Sequence, residues 1–197
     1  MNLPAIPNAW SNAGGMKSDS YTCSYCENLV SPSLGWSNSS AAKFAPRIYL
    51  CNHCCHPTYF FDAFQIPGVP IGRPVTALAE DVKTLYNEAR HSAGSGYFTA
   101  AVLLCRKILA HIAVDQGAAS GLSFQAYVDY LAANGYVPPK CKPLVDHIRT
   151  KGNEANHEIV LMQQNDAKDL VSFLEMLLKF IYEFPAMAPS APPTRAP

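Results

Sequence analysis

Four cysteines form two C-x2-C pairs in the first third of the chain, Cys23 with Cys26 and Cys51 with Cys54. A C-x2-C turn directs two sulfurs at one centre, and two such turns supply the four ligands of a tetrahedral zinc ion. The pairs are separated by 24 residues, slightly more than the usual spacing of about 15–20. An all-cysteine shell leaves no open position, so the spacing predicts structural rather than catalytic zinc.

The fourth zinc ligand has three candidates, because Cys55 and His56 directly follow Cys54. Cys54 repeats the spacing of the first pair and is the preferred ligand, while Cys55 is expected to pack beside the site. Two disulfides or free buried thiols are the alternatives to a metal. The chain has seven cysteines, and this odd number and the paired spacing favour a metal in a reducing compartment. Cys105 is expected to be a core thiol, and Cys141 is assigned no role.

A second group of chemically interesting residues, Arg149, Asn153 and His157, follows an i, i+4, i+8 spacing that places them on one helical face. An arginine can hold a phosphate, a histidine can transfer a proton near neutral pH, and an amide can orient a substrate. The three residues are therefore candidate catalytic residues for phosphodiester chemistry. The alternative is a buried polar network that holds helices in place.

Arg106 interrupts the most apolar predicted helix and therefore needs a partner. Glu88, Asp146 and Glu154 are the candidates. The expected role is a structural ion pair.

Composition restricts the class of protein. Formal net charge is zero, with 15 basic and 15 acidic side chains, which does not support indiscriminate nucleic-acid binding. No apolar stretch approaches the roughly 18 residues of a membrane span, and the N-terminus lacks the pattern of a signal peptide. A cytoplasmic protein with no membrane partner is expected.

Four segments follow from composition and periodicity. Residues 1–64 are predicted to form a zinc ribbon with an irregular N-terminus, with short strands at 21–22, 48–50 and 58–61. Further segments are a Pro/Gly-rich linker at 65–74, a helical bundle at 75–184 and a disordered Pro/Ala tail at 185–197.

Apolar residues at helical spacing predict five helices with short connections, and hence a mainly α fold built on a five-helix bundle. The first is expected from about Pro74 to Gly94, the second at 98–116, the third from about Phe124 to Asn134, the fourth at 143–159, and the fifth from an N-cap at Asn165. The second helix should be the most buried, since apolar residues cover most of its circumference.

The helical segment resembles the domain-of-unknown-function family 4145 over roughly residues 75–185, and IRTKGNEANHEIV is the most specific part of the match. CNHCCHPTYF is similar to the second zinc knuckle that precedes this domain in the family. That family is similar to the HEPN class of helical bundles, many of which are homodimeric, metal-independent ribonucleases. The resemblance thus implies an HEPN-like bundle, a homodimer, and a prokaryotic or phage-related setting such as anti-phage or restriction systems.

The candidate pair Arg149 and His157 departs from the HEPN pattern, because seven residues separate them instead of four to six. The preferred function is therefore a non-catalytic binding or adaptor protein with an RNA or protein partner. The alternative is a ribonuclease that uses Arg149 and His157 across a dimer. Five aromatic residues of the ribbon either contact a partner or cover a small core: Tyr25, Trp36, Tyr59, Phe60 and Phe61.

Overall fold

The computed structural model describes residues 13–37, 46–138, 146 and 161–187. Seven β-strands come first: β1 (Gly14–Gly15), β2 (Tyr21–Thr22), β3 (Leu29–Val30), β4 (Leu34–Ser37), β5 (Arg47–Leu50), β6 (Pro57–Phe61) and β7 (Phe64–Ile66). The helices are α1 (Glu80–Gly94), α2 (Phe98–Asp115), α3 (Phe124–Ala133) and α4 (Gln164–Leu178), followed by a π-helical turn (Lys179–Glu183) and the short α5 (Phe184–Met187).

The strands form two antiparallel sheets, one with the order β1-β4-β5-β6-β7 and a two-stranded sheet of β2 and β3. The predicted strands coincide with β2, β5 and β6. Alternation along β6 directs Thr58 and Phe60 inward and leaves Phe61 half exposed. The small core on the inner side consists of Tyr21, Cys23, Val30, Tyr49, Cys51 and Phe60.

A segment that we term the strap, residues 67–79, joins the sheets to α1. The prediction that the first helix begins near Pro74 is wrong, since α1 begins at Glu80 and Ala77 has a φ of 58°. Acidic side chains of α4 and of the π-helical turn after it accept hydrogen bonds from the strap backbone instead. Glu175 accepts a hydrogen bond from the Arg73 amide at 2.9 Å, and Glu183 accepts one from the Thr76 amide at 2.6 Å.

Helix α2 lies at the centre of the helical domain and packs against α1, α3 and α4. Ile108, Leu109 and Ile112 are almost completely buried, as the apolar spacing predicts. The same helix has an outer face on which Leu103 is 47% exposed and Val114 is 40% exposed. Burial of one broad face against three helices supplies most of the core of this domain.

The prediction of a mainly α five-helix bundle is wrong. The described residues form four helices of at least ten residues, preceded by the seven strands. These four helices bury their apolar faces against one another, and the strands that precede them form sheets that helical spacing does not predict. The predicted fourth helix at 143–159 lies outside the described residues apart from Asp146.

The ends of the last helix also differ from expectation. Helix α4 is capped by Gln163 instead of Asn165, because the Asp166 carboxylate accepts a hydrogen bond from the Gln163 amide at 2.9 Å and completes a capping box. The predicted disordered tail begins inside α5, which extends to Met187. Residues 188–197 lie outside the described part of the chain.

Close contact between the strap and α1 requires glycine at position 94. A Cβ on Gly94 would lie 2.1 Å from the Val69 carbonyl oxygen. We therefore expect Gly94→Ala to destabilise the protein by about 1–3 kcal/mol in urea unfolding, although alanine is favoured over glycine within a helix by about 1 kcal/mol. The control is Gly15→Ala, where a Cβ meets nothing within 4 Å. Equal stability of the two variants would contradict the prediction.

Candidate metal centre

Two turns with the same hydrogen-bond pattern present the four predicted cysteines. In the first turn, the Cys23 amide donates to the Asn28 carbonyl at 2.9 Å and the Glu27 amide donates to the Cys23 carbonyl at 2.8 Å. Glu27, directly after the second cysteine, adopts a left-handed conformation with a φ of 57°. This conformation closes the turn tightly enough to bring both sulfurs of the pair to one side.

The second turn repeats the first around Cys51. Its amide donates to the His56 carbonyl at 3.0 Å, and the Cys55 amide donates to the Cys51 carbonyl at 2.9 Å. Cys55 has a φ of 61° and so occupies the position of Glu27 in the first turn. The Cys51 sulfur also accepts from the amides of His53 at 3.4 Å and Cys54 at 3.5 Å. Such N–H donors stabilise negative charge on a thiolate.

The sulfurs of the two turns meet in one cluster. The Sγ atoms of Cys23 and Cys54 are 3.7 Å apart, and those of Cys26 and Cys51 are 3.8 Å apart. All four sulfurs lie within 4.8 Å of one another. Two sulfurs bound to one zinc at about 2.3 Å in a tetrahedron are about 3.8 Å apart, whereas a disulfide needs about 2.05 Å. The cluster is compatible with one bound metal ion, and all four cysteines are free thiols.

The alternatives to Cys54 as the fourth ligand, Cys55 and His56, do not lie in the sulfur cluster. Among the residues described, only the four cysteines of the two pairs bring ligand atoms together in this cluster. His56 is buried, and its Nδ1 lies 3.0 Å from the Cys54 carbonyl oxygen. Its ring stacks on Tyr25 with centroids 4.5 Å apart. These contacts give His56 a packing position beside the cysteine turns.

Aromatic side chains pack beneath the cysteine cluster. Tyr21 and Phe60 meet edge to face at 4.8 Å, and both lie near Tyr49. Phe60 is therefore a core residue, whereas Phe61 at 50% exposure lies on the outer side. Of the five aromatic residues predicted either to contact a partner or to cover a small core, Phe60 therefore covers the core and Phe61 is left exposed.

In the metal-free thiol form, the acidity of the cysteines differs. Burial raises the pKa of Cys23 to about 11. Burial also acts to raise the pKa of Cys26, but hydrogen bonds from Asn28, Cys23 and Cys54 outweigh it and lower the value to about 7. The pKa of Cys54 is raised, mainly by burial. Cys26 is therefore the first of these three thiols to ionise.

Metal affinity should consequently depend steeply on pH. Because the pKa values of Cys23 and Cys54 lie well above 7, each must release a proton when a thiolate-bound metal enters. At least two released protons weaken binding by about 100-fold or more for each pH unit of acidification below neutrality. Competition with a chromophoric chelator at pH 7 and pH 6 measures this change. A change of less than about tenfold would contradict the prediction.

The second set of predicted site residues cannot be placed. Arg149, Asn153 and His157 lie outside the described residues, and so does Cys141. Cys105 is completely buried on α2 and burial raises the pKa of its thiol to about 12, in agreement with a core thiol.

Among the described residues, Arg106 forms no ion pair with Glu88, which is one of its three predicted partners. Its guanidinium lies 4.7 Å from the centroid of the Phe124 ring, and burial lowers its pKa. Asp146 is exposed, and Glu154 lies outside the described residues. Within the part of the chain that is described, Nη1 of Arg106 is buried without a hydrogen-bond partner, and the guanidinium makes a cation–π contact with the Phe124 ring.

Sequence reasoning missed a buried pair between Arg90 of α1 and Glu27 of the first cysteine turn. The sequence contains a sign of this pair, because the charged Arg90 falls within the apolar stripe formed by Val82, Tyr86 and Ala93. A charged residue on such a stripe needs an acceptor from another element.

A four-cysteine β-region joined through a packed strap to a helical domain defines the class of this protein. Residues 87–192, more than half of the chain, match the family described as Domain of unknown function (DUF4145), and the chain belongs to this family. Neither a curated protein nor a solved structure matches the chain. The predicted family resemblance is therefore confirmed over the helical region. Of the helices in the described residues, none has the length and apolar character to cross a membrane.

Proposed function

We propose that Cys23, Cys26, Cys51 and Cys54 bind one structural zinc ion and that the protein is a non-catalytic, homodimeric binding or adaptor protein of the cytoplasm. The observation that carries the metal assignment is the sulfur spacing of 3.7 Å and 3.8 Å across the two turns. Tetrahedral sulfur ligands suit zinc or iron, and closed sites built from two C-x2-C turns favour structural zinc.

Four protein sulfurs saturate a tetrahedral ion, so the metal keeps no position for a substrate or an activated water. Its contribution would be to hold together two β-regions with a very small core. This role supports a binding module in preference to a metalloenzyme.

The outer face of the larger sheet supports partner binding. In the strand register, Trp36, Ile48, Tyr59 and Ile66 lie side by side across four strands. Ile66 is 56% exposed, and the neighbouring Phe64 is 68% exposed. Exposed apolar side chains grouped in this way are typical of interaction surfaces. The row carries no charge, which favours a protein partner over RNA.

Metal analysis of the purified chain tests the first part of the proposal. One zinc per chain by mass spectrometry of the metal content is expected. One iron per chain, or no metal after purification without chelators, would overturn the zinc assignment.

Incubation with RNA in EDTA tests the second part against the ribonuclease alternative. Wild type and His157→Ala are both expected to leave RNA intact. Metal-independent cleavage by wild type that is lost in His157→Ala would establish the ribonuclease. Arg149, Asn153 and His157 remain candidates from the sequence alone.

Sedimentation analysis tests the homodimer. The variant is Phe64→Ser on the exposed hairpin. The control is Ser33→Ala, at an exposed position outside the strands. A monomeric wild type would contradict this part of the proposal.

A setting in anti-phage or restriction systems rests on the family resemblance, and plating efficiency of phage on an expressing bacterial host would test it.

A further inference from the structure

Among the residues that the structure describes, Arg90 on helix α1 is the largest almost completely buried side chain, with 1% exposure. A guanidinium has five N–H donors and no acceptor, and here all five find an acceptor. Nε donates to the Ile71 carbonyl at 3.1 Å. Nη1 donates to Glu27 at 3.0 Å and to Asn87 at 3.1 Å, and Nη2 donates to Glu27 at 2.5 Å and to the Gly72 carbonyl at 2.9 Å. We term these five residues the Arg90 latch.

Glu27 connects the latch directly to the cysteine cluster. It follows Cys26, and its amide donates to the Cys23 carbonyl, so the closed turn determines where its side chain begins. Both carboxylate oxygens accept from Arg90, a bidentate geometry that tolerates little displacement. The position of the turn and the pairing of Arg90 are therefore mutually dependent.

The strap provides the third component of the latch. Besides the two strap carbonyls bound by Arg90, the Ile71 amide donates to the Arg90 carbonyl at 3.2 Å. On the other side, Ser24 of the first turn donates to the Pro67 carbonyl at 2.5 Å, and Gln65 donates to Ser24 at 2.9 Å. The cysteine turn, the strap and α1 thus share one hydrogen-bonded network.

We propose that metal occupancy of the four-cysteine site and the docking of the first cysteine turn on helix α1 are coupled through the Glu27–Arg90 pair, with Arg90 as a positioning residue for the metal site. This inference rests on the proposed metal binding. Loss of the metal releases the turn, withdraws Glu27, and leaves a buried guanidinium without its counter-charge. The strap and α1 then loosen, and by linkage any change that weakens the latch also weakens metal binding.

The groups around Arg90 include no second carboxylate in the described residues that could take the place of Glu27. The other acceptors in the latch are two backbone carbonyls and the Asn87 amide oxygen, all neutral. Among the described residues, Glu27 is the only carboxylate within 4 Å of the guanidinium. Removal of Glu27 therefore leaves hydrogen bonds but no compensating charge.

Hydrogen–deuterium exchange of the full chain tests the coupling, with zinc content measured first. In wild type, removal of zinc by a chelator should accelerate exchange about tenfold in peptides from 67–76 and 84–94, as expected for a coupling of ordinary size. Peptides from α3 serve as the internal control and should not change. If zinc leaves and both regions keep their exchange rates, the coupling is overturned while the metal site stands. If no metal is present in wild type, the metal proposal itself fails.

Zinc competition provides the reciprocal measurement. Glu27→Gln keeps the size and polarity of the side chain and should lower zinc affinity about tenfold, and Arg90→Met should lower it at least as far. The matched control is Lys83→Met, which breaks the exposed ion pair with Glu80 on the same helix as Arg90. Far-UV circular dichroism checks that each variant is folded, and Glu27→Gln carries the test if Arg90→Met is not. Unchanged affinity in folded Glu27→Gln would overturn the coupling.

Discussion

Replacement of Cys51 by serine is expected to abolish metal binding and to unfold the β-region of the protein. Cys51 is 1% exposed, and its sulfur accepts two backbone N–H groups. Structural zinc contributes about 10–16 kcal/mol to the folding of small metal-dependent modules. In the described part of this region the buried core has only six residues, two of which are the ligands Cys23 and Cys51, and such a core is too small to hold two sheets without the metal.

Metal content and near-ultraviolet circular dichroism measure this outcome, since Tyr21, Tyr49 and Phe60 form a fixed cluster under the site. The matched comparison is Cys54→Ser against Cys55→Ser. Cys54→Ser should lose the metal, whereas Cys55→Ser should retain it, because Cys55 occupies the turn position equivalent to Glu27. Retention in Cys54→Ser with loss in Cys55→Ser would show that the ligand assignment is wrong.

The helical domain should be most sensitive to the removal of Leu109 from its centre. Leu109 is completely buried on α2, which packs against three helices. Leu109→Ala removes apolar contacts and leaves a cavity that rigid neighbours fill only in part. We expect a loss of about 2–5 kcal/mol in the free energy of unfolding, measured by urea denaturation with far-UV circular dichroism.

The control for Leu109→Ala lies on the same helix. Leu103 is 47% exposed, so Leu103→Ala makes the same chemical change with little burial and should stay within about 0.5 kcal/mol of wild type. A loss for Leu103→Ala as large as that for Leu109→Ala would mean that the outer face of α2 is covered in solution.

Local signals predicted much of the framework. Strand residues around the cysteines and the bounds of α2 follow from apolar spacing, because one face of each element must leave water whatever its neighbours are. The two sulfurs of each pair follow from the C-x2-C turn that holds them, because the geometry of such a turn is local. The alternatives Cys55 and His56 could not be separated by spacing, since backbone conformation at Cys55 depends on the closed turn.

Long-range contacts account for most of the errors. Helix α1 begins later than expected because Glu175 and Glu183, about a hundred residues away, accept from the strap backbone. Among the described residues, the Arg106 guanidinium contacts the Phe124 ring and not Glu88, which is one of its three predicted partners. In both cases the contact is made with another element, and periodicity within one segment does not identify such a contact.

The amino-acid sequence by itself determined the two cysteine pairs, the strands beside them, the bounds of α2 and the family, because these depend on local spacing and residue type. Only the tertiary structure decided that the four sulfurs meet at metal-binding distances, and that Glu27 of the first turn neutralises the buried Arg90 of α1. The physical reason is that a buried charge pairs with the oppositely charged side chain that packing places beside it. Which side chain that is depends on how the elements assemble.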